Sequence, residues 1–70
     1  MPYVKIELLE GRTTEQKAAV AKAVTEALVN HANSKPEAVE IVFVDVKREN
    51  WASGGKLLSE PAKAAPTRTG

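Results

Sequence analysis

Residues 39–46 are apolar on both faces of a predicted strand, and this run constrains the fold more than any other segment. Strand alternation puts one set of side chains on each face, Val39, Ile41 and Phe43 on the first and Val42, Val44 and Val46 on the second. A single amphipathic helical segment accompanies this strand, and one helix covers only one face of a sheet. The second apolar face therefore requires another subunit.

The length of the chain leads to the same expectation. A domain of 70 residues buries only about 60% of the surface that its unfolded chain exposes. The sequence contains no cysteine for a disulfide, and the single His31 does not form one of the usual zinc sites. We expect His31 to complement a helix dipole instead. We therefore predict a homo-oligomer without a metal site.

Charge and hydropathy exclude two classes of partner. The formal net charge is +1, and no basic stripe with interleaved aromatic residues suggests nucleic acid binding. No apolar run approaches the roughly 20 residues that span a bilayer, and no signal peptide is recognisable, so no membrane contact is expected. These features predict a cytoplasmic protein.

The first two thirds of the chain have the pattern of a β-α-β unit. Residues 3–9 alternate apolar and polar side chains as a half-buried strand does. Thr13 and Gln16 match a capping box, and a helix starting there should end between Asn30 and Asn33. Its apolar stripe consists of Val20, Ala21, Val24, Ala27 and Leu28. The strand at 39–46 should then pair parallel to the first through a right-handed crossover.

The last part of the chain predicts a short hairpin and a tail. Trp51 is followed by the pair Gly54 and Gly55, which suits a tight turn before Lys56 and Leu58. Residues 61–70 have no hydrophobic periodicity and are predicted to form a flexible tail. The predicted class is therefore α+β, with one domain over residues 2–60.

Pro2 is the first candidate for chemistry. If Met1 is removed, Pro2 becomes a free secondary amine attached directly to a strand. An unperturbed α-amino group has a pKa near 7.7–8.0, and a proline amine starts somewhat more basic. Burial and nearby cations would have to lower that pKa before the amine served as a base at neutral pH. The alternative is that Pro2 simply begins an edge strand, where its missing N–H does no harm.

Arg12 and Trp51 complete a possible site. Arg12 follows the first strand, and a guanidinium binds a carboxylate through two hydrogen bonds. Trp51 precedes the glycine pair, and its indole would supply an apolar wall that excludes water. Each residue alone also fits an ordinary role. Arg12 could be a solvated loop residue, and Trp51 could be an apolar side chain that packs in an interface.

Four segments together resemble the 4-oxalocrotonate tautomerase family over about residues 2–58. They are Pro2-Tyr3-Val4, Leu9-Glu10-Gly11-Arg12-Thr13, Glu15-Gln16-Lys17 and Trp51-Ala52-Ser53-Gly54-Gly55. The resemblance implies a β-α-β subunit that assembles as a hexamer, a trimer of dimers. It also implies keto–enol tautomerisation of 2-hydroxy-dienoic acids, of the kind met in aromatic compound degradation, without a cofactor.

The resemblance also implies roles for three residues. Pro2 would be the general base that takes a proton from the enol oxygen and returns it to carbon. Arg12, contributed by a neighbouring subunit, would bind a substrate carboxylate or draw electron density along the dienol. Trp51 replaces the family's phenylalanine as the apolar wall.

Glu40 departs from the family pattern. It stands where the family has a second active-site arginine, unless the alignment slips by one residue before Pro36. Lys5, Lys47, Arg48 or Lys56 are the candidates for a replacement cation. Loss of the arginine predicts a preference for substrates with one carboxylate.

Two other functions remain open from the sequence. The chain could be a non-catalytic oligomeric member of the same fold, its site impaired by Glu40. It could also be a related dehalogenase or decarboxylase. Those activities use extra arginines and an acidic residue, and Glu40 is the only acidic residue that the sequence places near the site.

Overall fold

The computed structural model of the chain describes residues 1–60. These form β1 (Tyr3–Leu9), α1 (Thr14–Ala32), β2 (Glu40–Val46), β3 (Ala52–Ser53) and β4 (Lys56–Leu57). Single 3-10 turns at Pro36–Ala38 and Arg48–Asn50 flank β2. The predicted α+β class, with a β-α-β unit and a C-terminal hairpin, is confirmed. The predicted tail at 61–70 lies outside the described residues.

Strand β2 begins one residue later than predicted. The N–H of Val39 donates to the carbonyl of Pro36 at 3.2 Å, so this residue closes the preceding 3-10 turn. Pairing with β1 starts at Glu40.

Helix α1 begins and ends where its capping residues predict. The Thr13 side chain accepts from the Gln16 N–H at 3.0 Å, and the Gln16 side chain accepts from the Thr13 N–H at 2.9 Å. At the other end Asn33 adopts the left-handed conformation with φ 60°, which asparagine tolerates well. His31 lies in the last turn, as expected.

Strands β1 and β2 form a parallel pair in which Tyr3 lies opposite Glu40 and Leu9 opposite Val46. Helix α1 packs on the face that includes Leu8 and Asp45, because Lys17 of the helix donates to Asp45 at 2.8 Å. We call the opposite side of the sheet the open face. Alternation assigns to it Tyr3, Lys5, Glu7 and Leu9 of β1 and Glu40, Val42, Val44 and Val46 of β2.

The open face is not covered by the rest of residues 1–60. No side chain in this part of the chain is fully buried, and Val42 at the middle of β2 is 42% exposed. The single helix leaves the second face of β2 exposed within one chain, as predicted, and burial of that face by another subunit stays a prediction. Tyr3, at 60% exposure, is the other large hydrophobic side chain of this face that remains open to solvent.

Within residues 1–60, no helix combines the length and the apolar composition that crossing a bilayer requires.

Candidate active site

Pro2 and Glu40 lie together at the amino end of the parallel sheet. The carbonyl of Pro2 accepts a hydrogen bond from the N–H of Glu40 at 2.9 Å, so the ladder begins at Pro2. Pro2 is half-buried, whereas Met1 before it is 73% exposed. Backbone pairing therefore fixes the position of the proline and leaves the preceding residue outside the sheet.

Arg12 lies at the carboxyl end of the sheet. The N–H of Glu10 donates to the carbonyl of Val46 at 2.9 Å, which extends the pairing one residue past β1. Gly11 then turns the chain with φ 121°, a conformation that favours glycine. Arg12 follows, exposed, and among residues 1–60 no ion pair engages its guanidinium.

The C-terminal hairpin holds Trp51. Gly54 and Gly55 have φ values of 64° and 85°, as the two central residues of a type I′ turn require. The carbonyl of Trp51 accepts from the N–H of Leu58 at 2.9 Å, which closes the hairpin behind β3 and β4. A backbone hydrogen bond across the hairpin thus fixes the position of Trp51.

A groove of about 380 Å³ lies between this segment and the open face of the sheet. It is lined by Glu7, Val44, Val46, Asn50, Trp51 and Ala52. Four of these residues have aliphatic or aromatic side chains, and the other two contribute one carboxylate and one amide. A groove of this kind suits a small planar ligand.

The four predicted site residues fall at opposite ends of the sheet in one chain. Pro2 and Glu40 mark the amino end, whereas Arg12 and Trp51 lie at the carboxyl end. The seven steps from Pro2 to Leu9 correspond to about 23 Å at the usual rise of a strand. One chain therefore does not bring Pro2 together with Arg12.

Glu7 is the residue that sequence reasoning missed. Sequence reasoning placed Glu40 as the only acidic residue near the proposed site, and the structure adds Glu7, which lines the groove beside Trp51. Strand alternation and the register opposite Val44 put Glu7 on the open face. Its proximity to Trp51 depends on the path of the hairpin, which no periodicity in the sequence reveals.

Of the candidate replacement cations, Lys5 is the one with a charged partner among residues 1–60. Its Nζ atom lies 3.6 Å from Oε2 of Glu7, with both side chains more than half exposed. Lys47 and Arg48 follow β2 and lie at the carboxyl end, away from Glu40. In the part of the chain that the structure describes, no ion pair involves Glu40.

No metal-binding cluster was found among residues 1–60, where no three histidine or acidic side chains gather in a suitable arrangement.

Comparison with known proteins identifies relatives along nearly the whole described chain. The family model for tautomerase enzymes matches residues 2–60. A probable tautomerase of Lactococcus lactis is 44% identical over 57 residues, covering 81% of this chain and 93% of that protein. The 2-hydroxymuconate tautomerase of Bacillus subtilis is 37% identical over 60 residues, covering 86% and 97%.

A solved structure supports the same comparison. The heterohexameric 4-oxalocrotonate tautomerase of Chloroflexus aurantiacus superimposes with a TM-score of 0.81 at 33% identity. The match covers 86% of this chain and 97% of that one.

Proposed function

The chain belongs to the tautomerase family and is an isomerase, and from this premise we propose that it interconverts enol and keto forms of 2-hydroxy-dienoate and enolpyruvate-type acids without a cofactor. The observation that carries the proposal is the position of Pro2, half-buried at the first hydrogen bond of the sheet and directly after Met1. Removal of Met1 converts its nitrogen into a free secondary amine.

The proposed chemistry moves one proton. The neutral amine of Pro2 accepts the proton of the enol O–H, the electron pair moves along the conjugated system, and the protonated amine returns the proton to carbon. Arg12 binds the substrate carboxylate and stabilises the charge that develops on the substrate. Trp51 provides an apolar wall that limits access of water.

This site requires more than one subunit. The separation of about 23 Å along β1 prevents Pro2 of one chain from sharing a substrate with its own Arg12. A neighbouring copy packed on the open face, where Val42 is exposed, would bring Arg12 and Trp51 to Pro2. We therefore propose a homo-hexamer arranged as a trimer of dimers, and the solved relative from Chloroflexus aurantiacus is itself a heterohexamer.

Intact mass and enzyme kinetics test the role of Pro2. We expect purified protein to lack Met1 and to ketonise phenylenolpyruvate in an ultraviolet assay. Pro2→Ala should lower kcat/KM by about a hundredfold or more, the usual contribution of a general base. Pro36→Ala is the matched control, because Pro36 lies exposed in a 3-10 turn, and it should retain activity.

Two results would contradict this proposal: retention of Met1, or a Pro2→Ala variant that ketonises as fast as the wild type. Either would favour a non-catalytic oligomer with the same fold.

The substrate class follows from Glu40. Its backbone pairs with Pro2, so an acidic residue accompanies the proposed base. A second substrate carboxylate would meet an anion there, because Glu40 has no cationic partner among residues 1–60. We therefore propose that the enzyme prefers substrates with one carboxylate, bound by Arg12.

Comparison of phenylenolpyruvate with the dicarboxylate 2-hydroxymuconate tests this preference. We expect kcat/KM to favour the monocarboxylate in the wild type and to shift toward the dicarboxylate in Glu40→Arg, by about tenfold for one added favourable contact. A wild-type preference for 2-hydroxymuconate would refute the assignment.

A further inference from the structure

The groove beside Trp51 contains a charge that the proposed reaction does not use. Glu7 is the one ionisable residue among the six that line it. Around it, Val44, Val46 and Ala52 present apolar surface, and Trp51 presents an aromatic ring. The groove therefore places a single negative group among aromatic, aliphatic and amide side chains.

We infer that Glu7 is a specificity-determining residue that restricts this groove to an uncharged part of the substrate. This inference rests on the proposed function. A carboxylate entering the groove would lose water next to the indole and face the Glu7 anion, and both effects are unfavourable. A neutral aryl or alkenyl group meets neither obstacle.

Lys5 increases the change in selectivity that is expected when Glu7 is replaced. Its ammonium lies 3.6 Å from the Glu7 carboxylate on the same open face. While Glu7 is charged, its carboxylate pairs with the Lys5 ammonium, so this cation attracts a second substrate carboxylate less strongly. Replacement of Glu7 by glutamine removes the repelling anion and also leaves the Lys5 ammonium without its carboxylate partner. Both changes favour a substrate that carries a second carboxylate.

The expected size of the effect is moderate. Both side chains of the pair are more than half exposed, so water and salt reduce the repulsion. We expect Glu7→Gln to raise the ratio of kcat/KM for 2-hydroxymuconate over phenylenolpyruvate by about tenfold, which corresponds to about 1.4 kcal/mol. Activity on phenylenolpyruvate should change by less than about threefold.

The experiment compares Glu7→Gln with Glu26→Gln in the assembled enzyme. Glu26 is exposed on α1, outside the groove, and its replacement makes the same change in net charge. The control should leave the substrate ratio unchanged. Lys5→Gln should move the ratio in the opposite direction, toward the monocarboxylate, because Glu7 then lacks its counter-ion.

An unchanged ratio in Glu7→Gln, or equal shifts in Glu7→Gln and Glu26→Gln, would overturn the inference while leaving the isomerase activity intact. Failure of the proposed function gives a different result, since the wild type would then ketonise neither substrate. If Glu7→Gln did not assemble, the Lys5→Gln variant would provide the test. A shift of its substrate ratio toward the monocarboxylate would support the inference, and a shift toward the dicarboxylate or no shift would overturn it.

Discussion

The two ends of the parallel sheet differ in how they hold their functional residues. At the amino end, backbone pairing alone positions Pro2 and Glu40. At the carboxyl end, a glycine turn presents Arg12, and a hairpin folds Trp51 over the open face to create a groove. The amino end thus supplies the candidate base, and the carboxyl end supplies the candidate binding surface.

This difference indicates why a chain of 70 residues would be active only as an assembly. The strand that separates the two ends is too rigid and too long for them to meet within one subunit. Exposure of Val42 on the open face also leaves the single subunit with little stability of its own. Association would provide both a core and a complete site.

The largest effect should follow from preventing the two ends from meeting. Val42→Lys places a charge at the centre of the open face, where it would be desolvated on association. We expect loss of the oligomer by size-exclusion chromatography, lower thermal stability and no measurable activity. Ala18→Lys adds the same charge at an exposed position of α1 and should assemble normally.

A Val42→Lys variant that remained oligomeric and active would contradict the role of the open face. The subunit contact would then have to lie elsewhere.

Mixing two inactive variants tests whether the ends come from different chains. Pro2→Ala and Arg12→Ala should each lower kcat/KM by about a hundredfold. After co-refolding in equal amounts, about a quarter of sites would combine an intact Pro2 from one copy with an intact Arg12 from another, so activity should return to about a quarter of wild type. A site within one chain would show no recovery.

Much of the β-α-β unit could be predicted from the sequence, because it depends on local signals. Alternation over residues 3–9 defined β1, and the pair Thr13 and Gln16 fixed the start of α1. Asn33 ended the helix within the predicted interval. These features are determined by side chains a few positions apart, and short-range patterns report them well.

The groove at the carboxyl end was harder to predict, because it depends on contacts between segments distant in sequence. Gly54 and Gly55 indicated a hairpin, but not that it would bring Trp51 to Glu7 on the first strand. The 3-10 turn that delays β2 to Glu40 was also missed. The separation of Pro2 from Arg12, in contrast, follows from strand length once β1 is recognised.

A smaller effect is expected from changing the wall of the groove. Trp51→Ala removes half-buried aromatic surface that would otherwise contact the substrate, and should lower kcat/KM for phenylenolpyruvate by about tenfold. Trp51→Phe keeps an aromatic face and should stay within about threefold of wild type. An equal loss in both variants would mean that the indole N–H, rather than the apolar face, is required.

The smallest effect should come from the contact that holds α1 to the sheet near the carboxyl end. Lys17 and Asp45 are 2.8 Å apart, but their side chains are 27% and 45% exposed, so solvent weakens the pair. Lys17→Met should lower the free energy of unfolding by about 0.5–1 kcal/mol at a fixed protein concentration. A double-mutant cycle with Asp45→Asn isolates the interaction from other effects of each change.

The kinetics of the Lys17→Met variant then separate support of the fold from chemistry. If the pair only anchors the helix, kcat/KM at a temperature well below unfolding should match the wild type for both substrate classes. A selective loss on one class would show instead that the orientation of α1 controls the groove. In that case the carboxyl end would depend on helix packing as well as on the hairpin, unlike the amino end, which backbone pairing positions.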